Sequence, residues 1–320
     1  MRRLASAALF VCALAGTGVA QEWPTGPVRI VVPFAAGSTP DSVARIVGEK
    51  LQQNTGKPFI VENRAGAGGN IGTDVVVKSP PDGATIGVSI LGPLAMNTVL
   101  MKSMPYDPFK DIALISMLTL QPSVLAVSNQ LGAGDLAQLF AILKKDPGKY
   151  NYASIGRGSL SHLAMALIAS RSGTEVVHAP FTSSPQAALA VVQNEVQMTV
   201  LPAISVMPLA RDGKMKALAQ TSARRSPVLP DMPTFAEAGV EGVEASAWNA
   251  MIASVRTPPE MLAQMHARLD AALRDPEVVR RFAEQMMEAA PMSPADTRRY
   301  VDEEFARWSA VVKAAGIEPQ

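Results

Sequence analysis

The amino-acid sequence predicts an α/β protein whose sheets are mainly parallel. Short runs of β-branched residues alternate with segments whose apolar residues recur at helical spacing, and this alternation is typical of βαβ units. From Pro258 onward the chain instead carries helical patterns almost throughout. These two observations predict an α/β protein with a helical C-terminal region.

Two proline-containing stretches, residues 120–122 and 224–233, are candidate connections between lobes. They would bracket a second lobe that is inserted into the first. We therefore expect two α/β lobes: residues 21–121 together with 228–320 form lobe 1, and residues 122–227 form lobe 2.

Each element is predicted from its local pattern. Short apolar, β-branched runs bounded by turn residues predict strands at residues 28–32, 59–62, 85–90, 124–127, 176–178, 196–200 and 216–220. Helical spacing between them predicts helices at residues 41–53, 135–145, 159–170 and 185–193. In the tail, a proline near each first turn predicts helices at residues 258–273, 276–288 and 294–314.

The first twenty residues have the pattern of a cleaved export signal. Arg2 and Arg3 are followed by an apolar, small-residue segment, and residues 18–20 fit the small-x-small rule before cleavage at Gln21. A membrane anchor is the alternative, but the uncharged run is diluted by Gly, Ser and Thr and falls short of the roughly 20 apolar residues that spanning requires. We expect residues 1–20 to be a signal peptide and the mature protein to reside in the periplasm.

The composition excludes several functional classes. Lys and Arg total 29 against 28 Asp and Glu, so no basic surplus favours nucleic-acid binding. The only cysteine, Cys12, lies in the predicted leader, which leaves a mature chain without thiols and excludes disulfides, thiolate zinc sites and iron–sulfur clusters. With three dispersed histidines, we expect neither a metal nor a cofactor.

A glycine cluster at residues 66–72 is the nearest approach to a nucleotide motif. It follows a predicted strand, yet the position where a dinucleotide fingerprint requires its third glycine is Ile71. The sequence also lacks a phosphate-binding loop of the pattern G-x-x-x-x-G-K-[S/T], because no Gly-Lys pair has the required glycine five residues before it. The sequence therefore argues against nucleotide binding.

Nucleophilic catalysis is poorly supported as well. Ser159 and His162 are close in sequence. At a spacing of three residues on one helix, however, the serine hydroxyl does not point at the imidazole in a way that leaves room for a substrate. We interpret His162 as a capping or hinge-contact residue, and His178 and His266 as structural.

Two strand–loop–helix junctions, residues 33–41 and 152–159, are rich in Gly, Ser and Thr and nearly free of charge. Thr39 is predicted to cap the helix after the first junction, and Ser159 the helix after the second. The N-terminus of a helix offers unpaired N–H groups and a partial positive charge, so each junction can hold a carboxylate. Both junctions are equally compatible with ordinary tight turns.

At these junctions the sequence resembles a known family, the extracytoplasmic solute receptors of tripartite tricarboxylate transporters, also called TctC or Bug-type binding proteins. The resemblance runs through essentially the whole predicted mature chain. It is carried by five blocks in order, at residues 23–45, 61–83, 106–115, 147–163 and 229–248.

The resemblance implies a periplasmic binding protein type II-like fold, with a ligand cleft between two lobes and no catalysis. It also implies a small organic acid as ligand and the membrane permease subunits of a tripartite transporter as partners, and we expect a monomer. Matching the family's two ligand loops to this sequence places contacts at Pro33, Phe34, Ala35, Ala36 and Gly37, and at Ala153, Ser154, Gly156, Gly158, Ser159 and His162. We add Ser38, Thr39 and Arg157, which lie in the same two loops, to the expected ligand-binding residues. We also add Phe181 and Thr182, which follow the predicted strand at residues 176–178.

The sequence departs from the family pattern at the cleft. Ser38 stands where the first loop usually has its second glycine, and residues 180–183 read Pro-Phe-Thr-Ser where the family usually has Pro-Tyr-Lys-Gly. The usual Val-Asp further on is Val196-Gln197. These changes remove charge from one wall, which predicts a ligand with one recognised carboxylate and a less polar remainder, such as an aromatic or short aliphatic acid.

Two other functions stay open at this point. The protein could present its ligand to a signalling partner as a periplasmic sensor, or it could be a periplasmic enzyme on the same fold. The enzyme reading requires a titratable pair in the cleft, and only His162 lies near the two loops.

Overall fold

Eleven strands and ten helices make up the part of the chain that the structure describes. The structure is a computed structural model that describes residues 22–314 and 316–319, so the predicted signal peptide at residues 1–20 lies outside the described residues. The strands are β1 (Val28–Val32), β2 (Phe59–Asn63), β3 (Thr85–Ser89), β4 (Ile112–Gln121), β5 (Ser123–Val127), β6 (Asn151–Ser154), β7 (Val177–Pro180), β8 (Met198–Pro202), β9 (Lys216–Gln220), β10 (Ala247–Ser254) and β11 (Glu288–Ala289).

The helices alternate with these strands up to β9 and dominate the C-terminal region. They are α1 (Thr39–Thr55), α2 (Asn70–Lys78), α3 (Asn97–Leu100), α4 (Leu136–Lys145), α5 (Leu160–Ser172), α6 (Ser184–Val192), α7 (Ala203–Arg211), α8 (Pro259–Leu273), α9 (Pro276–Glu284) and α10 (Pro294–Ala314). Shorter helical turns occupy Ala67–Gly69, Gly92–Met96 and Asn129–Leu131. Among the described helices, none is long and apolar enough to cross a membrane.

The strands form two sheets. A six-stranded sheet has the order β11-β4-β10-β3-β1-β2, and a five-stranded sheet has the order β7-β6-β8-β5-β9. The second sheet is built entirely from the chain between β4 and β10. The predicted α/β fold class, with two sheets, is therefore confirmed.

The expectation of mainly parallel sheets is wrong. β1 pairs in parallel with β2 and β3, and β6 pairs in parallel with β7 and β8. β10 pairs antiparallel with β3 and β4, β11 with β4, and β5 with β8 and β9. The reason is that the chain leaves and re-enters each sheet: β4 leads out of the first sheet and β10 leads back into it, so these neighbours must run in opposite directions.

The chain passes from the first sheet to the second through a short connection. Only Pro122 separates β4 from β5, in agreement with the candidate connection at residues 120–122. On the return side, Thr221 Oγ1 lies within hydrogen-bond distance of the carbonyl oxygens of Ser123 and Ala245, at 3.1 and 3.0 Å, and its one hydrogen is shared between the two crossing segments. The precise limits of the two lobes stay a prediction.

Local patterns predicted most elements but not the crossing strands. The strand at Val28–Val32, the strand at Lys216–Gln220 and the helix at Pro294–Ala314 match their predictions in both bounds. β4 and β10 were not predicted, because β4 is apolar on both faces and β10 is rich in Ala, Ser and Asn, which are weak strand signals.

Helix α10 joins the cores of both sheets. Val301, in its first half, packs in an apolar cluster with Trp248 and Met117 of the six-stranded sheet. Trp308, in its second half, packs in another cluster with Leu125 of the five-stranded sheet. The last helix thus packs against both halves of the molecule.

Candidate functional site

A cavity of about 410 Å³ lies between the two sheets. The loops after β1 and β6, the chain after β3, and the crossing strands contribute its walls. Its lining residues are mostly apolar, and among the described residues that line it none carries a formal charge. The lining includes Phe34, Ser38, Thr39, Pro40, Ile90, Leu91, Gly92, Met96, Asn97, Leu100, Gln121, Ser123, Ile155, Gly158, Ser159, Leu160, Ser161, Leu163, Val200, Pro202, Ser246, Ala247, Trp248 and Asn249.

The first wall is the loop between β1 and α1, and Asp41 holds its shape. The buried Asp41 carboxylate accepts hydrogen bonds from the Gly37 N–H at 2.9 Å and from Asn63 Nδ2 at 2.9 Å, and it pairs with the Arg45 guanidinium at 3.0 Å. Asn63 also donates to the Phe34 carbonyl at 3.0 Å. Burial acts to raise the pKa of Asp41, but these hydrogen bonds outweigh it and hold the pKa below its usual value. Asp41 is therefore ionised, and it holds the loop in place as a brace through these hydrogen bonds.

The glycine cluster at residues 66–72 allows the backbone to approach this loop closely. A Cβ on Gly69, whose φ is +96°, would lie 2.9 Å from Phe34 Cζ and 2.6 Å from Pro93 Cγ. A Cβ on Gly72 would lie 2.6 Å from the Pro33 Cα. The cluster thus seats Phe34 at the edge of the cavity, which gives these glycines a role unrelated to a nucleotide.

Ser38, and not Thr39, is the N-cap residue of α1, so the cap prediction is wrong by one position. Its side chain makes no capping hydrogen bond, and its Oγ is buried without a hydrogen-bond partner among the described residues. Pro40 in the first turn fixes where the helix begins and removes one N–H group. Ser38 therefore brings an unsatisfied hydroxyl to the cavity wall.

The second wall is the loop between β6 and α5. Ser159 is the N-cap of α5, as predicted, and its Oγ accepts from the His162 N–H at 3.4 Å and donates to the Gly156 carbonyl at 2.6 Å. The Gly158 N–H donates to His162 Nδ1 at 2.9 Å. The interpretation of His162 as a capping residue is confirmed, because its ring holds the loop and does not approach Ser159 as a base would.

The stacked rings of Tyr152, His178 and His162 support this loop. Ser154 Oγ lies 2.6 Å from His178 Nε2, and the His178 ring stacks on Tyr152 with centroids 5.0 Å apart. Burial, the neighbouring His178 and Arg157 lower the pKa of His162 to about 4. Burial and Arg157 also lower the pKa of His178. Both imidazoles are therefore neutral near pH 7, as the acceptor role of His162 Nδ1 requires.

The structure brings only part of the predicted site to the cavity. Phe34, Ser38, Thr39, Gly158 and Ser159 line it, whereas Ser154 and His162 lie behind the second loop. Ala35, Ala36 and Gly37 are exposed in the first loop. Pro33 and Gly156 are loop positions outside the lining set, and Ala153 is a buried residue of β6 that is also outside it. Phe181 packs against the apolar cluster around α6, and Thr182 Oγ1 donates to Gln186 at 2.5 Å. Whether these residues contact a ligand stays a prediction.

Arg157 is not among the residues that line the main cavity. It lines a second, wider depression together with Lys102, Phe34 and Glu318. Trp248 borders the main cavity, and its indole N–H donates to the buried Glu304 Oε2 at 3.3 Å. Trp248 therefore combines core packing with a place at the cavity wall.

Sequence reasoning missed the apolar floor and the crossing-strand wall. The floor comes from the chain after β3, including Leu91, Met96 and Leu100, and the other wall carries Gln121 and Asn249. In the sequence, apolar residues next to a helix have the same pattern whether they face a cavity or pack in the core. The polar residues belong to strands that the local pattern did not predict.

The two-sheet architecture, the double crossing of the chain and the cavity between the sheets define the class: this is a periplasmic binding protein of the type II-like fold. The chain matches the family described as "Tripartite tricarboxylate transporter family receptor" over residues 43–317. It belongs to that family.

Similar proteins agree with this assignment. "Protein BugT" of Bordetella pertussis is 34% identical over 320 residues, which cover 99% of this chain and 98% of that protein. The structure described as "R. palustris Rpa4515 with adipate" has a TM-score of 0.80 and 33% identity, covering 93% of this chain and all of the other. "MatC (Rpa3494) from Rhodopseudomonas palustris with bound malate" has a TM-score of 0.73 and 31% identity, covering 91% of this chain and all of the other.

Proposed function

We propose that this protein is an extracytoplasmic receptor that binds a small carboxylate between its two lobes and delivers it to a tripartite tricarboxylate-type membrane transporter. One observation carries the proposal: the N-termini of α1 and α5, where Ser38 and Ser159 occupy the N-cap positions, line the same cavity and follow strands of different sheets. Relatives with adipate and with malate support a carboxylate as ligand class.

The carboxylate would be held by the two helix starts. The first-turn N–H groups of a helix have no acceptor within the helix, and the helix dipole adds a partial positive charge at the same end. Since no charged side chain is among the described residues lining the cavity, the anion would be held by these oriented N–H groups and by the Ser38 hydroxyl, because the Ser159 hydroxyl already donates to the Gly156 carbonyl. Recognition would therefore be local and largely independent of net charge.

The rest of the ligand would be less polar than its carboxylate. Leu91, Met96, Leu100, Leu163 and Val200 all line the cavity. Burying an uncompensated second charge against such side chains is costly. We therefore infer a ligand with one strongly recognised carboxylate and a largely apolar body, an aromatic or short aliphatic acid in preference to a tricarboxylate.

Transport would follow from closure of the two lobes without turnover of the ligand. The crossing segments around Pro122 and Thr221 are the natural hinge, because they are the connections that pass between the sheets along the main chain. Export through the predicted signal peptide would place the protein in the periplasm, where it would act as a monomer and dock on the permease when occupied.

The proposal is tested by isothermal titration calorimetry of the purified mature protein with mono-, di- and tricarboxylates, with native mass spectrometry of any acid retained from the host. We expect micromolar or tighter binding of at least one monocarboxylate and release of the same molecule unchanged. Ser159→Leu should abolish binding and leave the circular dichroism spectrum unaltered. Tighter binding of citrate than of every monocarboxylate would refute the ligand class, and unaltered affinity in Ser159→Leu would refute the site.

A further inference from the structure

Two amide side chains, Gln121 and Asn249, lie on the cavity wall formed by the crossing strands. Both are buried, with 2% and 1% of their surface exposed, and both line the cavity. Most of the other residues that line the cavity are apolar. These amides therefore belong to elements other than the two helix starts that are expected to hold the carboxylate.

The register of β4 and β10 places the two amides side by side. Gln121 is paired with Ala247, and Thr119 is paired with Asn249. Residues two apart on a strand share a face, so Gln121 and Asn249 are diagonal neighbours on the same face of the ladder, with Cβ atoms up to about 7–8 Å apart. One ligand group can reach both side chains at that spacing.

The Asn249 amide keeps one hydrogen-bonding atom free among the described residues. Asn249 Nδ2 donates to Thr119 Oγ1 at 2.9 Å, while Asn249 Oδ1 is buried without a partner among the described residues. The Gln121 side chain is likewise almost fully buried and borders the same cavity. Buried polar groups left unpaired are costly and uncommon in folded proteins, so this pair is a candidate for ligand recognition.

We propose that Gln121 and Asn249 form a second subsite, which recognises a neutral hydrogen-bond donor, a hydroxyl, at the end of the ligand remote from its carboxylate. This inference rests on the proposed function. A second carboxylate fits less well, because no cation is among the described residues lining the cavity. A hydroxyl both donates and accepts, so it satisfies the Asn249 amide whichever of its two ends faces the cavity.

The test measures affinities for pairs of monocarboxylates that differ only in a terminal hydroxyl. The probes are straight-chain acids of about four to eight carbons and benzoate, each with and without an ω- or para-hydroxyl. For at least one pair, we expect the wild-type protein to bind the hydroxylated acid about tenfold more tightly, which corresponds to about 1.4 kcal/mol. In Gln121→Met and Asn249→Leu, the preference should fall to less than about threefold, whatever the affinity of each variant for the unsubstituted acid.

Gln264→Leu is the matched control, because it removes an amide that bonds the Trp23 N–H far from the cavity and should leave the preference intact. Each preference is a ratio within one variant, so a general loss of stability cancels; should Asn249→Leu not fold, Gln121→Met alone decides. Equal affinities within every pair, or tighter binding of a dicarboxylate of matched length, would overturn the inference and leave the proposed function standing. Failure of every carboxylate to bind would overturn both.

Discussion

The imidazole rings of His162 and His178 are stacked in parallel, with centroids 4.1 Å apart and planes inclined by 11°. One ring comes from the first turn of α5 and the other from β7, the edge strand of the second sheet. His162 Nδ1 accepts from the Gly158 N–H, and His178 Nε2 lies against Ser154 Oγ. The stack thus fixes the second loop of the cavity through two independent contacts.

This arrangement predicts a pH dependence of stability. The pKa of His162 is lowered to about 4 in the folded protein, whereas an unfolded histidine titrates near 6.5. Between these values the unfolded chain binds more protons, so the stabilising contribution is complete above about pH 6.5 and is lost as the pH falls towards 4. We expect the loss from this group to be about 1–3 kcal/mol over that window.

The measurement is urea unfolding between pH 4 and 7 for the wild-type protein and His162→Gln. The glutamine oxygen can accept from the Gly158 N–H but does not titrate, so the variant should show a flatter pH profile. His266→Gln, on a helix remote from the stack, serves as the control and should keep the wild-type profile. Parallel profiles for wild type and His162→Gln would contradict the assignment.

The brace at Asp41 predicts an effect of Asp41→Asn on both stability and ligand affinity. The substitution removes the charge that accepts from Gly37, Asn63 and Arg45 together. We expect a loss of about 1–3 kcal/mol in the free energy of unfolding, because a charged, buried hydrogen-bond acceptor is replaced. Binding should weaken at least about tenfold, since the first loop loses the contact that sets its shape.

Asp270→Asn provides a matched control for this change. Asp270 pairs with Arg274 one helical turn away through the same two guanidinium atoms, at 2.8 and 2.9 Å, but braces no loop. Its substitution should cost at most about 0.5 kcal/mol and leave binding unchanged. Equal effects of the two substitutions would show that the Asp41 contacts to the loop carry no energy of their own.

Alanine substitutions at Gly69 and Gly56 should separate the cost of backbone strain from the effect of displacing Phe34. Gly69→Ala combines a φ of +96° with a Cβ that would contact Phe34 and Pro93, so Phe34 must move from the edge of the cavity. Gly56→Ala has a similar left-handed φ of +66°, but its Cβ meets nothing within 4 Å. We expect Gly56→Ala to cost about 1 kcal/mol with unchanged affinity, and Gly69→Ala to cost more and to weaken binding. Chemical unfolding and calorimetry compare the two variants, and unchanged affinity in Gly69→Ala would show that Phe34 has no part in the site.

The sequence predicted those parts of the site that depend on local structure. The Ser159 cap and the two βα loops follow from short-range patterns of Gly, Ser and Thr at the ends of strands, and these patterns are preserved in the fold. The cap of α1 was misplaced by one residue because Ser38 and Thr39 are adjacent and chemically equivalent as caps. Pro40 fits the first turn after either residue, so it does not separate the two choices.

The remaining parts depend on tertiary register, which no local pattern encodes. Gln121 and Asn249 are 128 positions apart in the numbering and meet only because β10 returns to pair with β4. The stack of His162 on His178 likewise requires β7 to lie beside β6. The antiparallel crossing strands were missed for the same reason, and with them the wall that carries both amides.

Ser38 predicts opposite effects of one substitution on stability and on binding. Its Oγ is buried without a hydrogen-bond partner among the described residues, so Ser38→Ala removes an unsatisfied polar group and should raise the free energy of unfolding of the ligand-free protein by about 1 kcal/mol. If the hydroxyl donates to the bound carboxylate, the same variant should lose about tenfold in affinity. Ser309→Ala is the control, because Ser309 Oγ on α10 is also buried and unpartnered within the described chain but lies outside the cavity lining. Thermal and urea unfolding without ligand, followed by calorimetry with the tightest acid, should therefore show both alanine variants stabilised and only Ser38→Ala impaired in binding; a Ser38→Ala protein that binds as well as the wild type would place the carboxylate away from the start of α1.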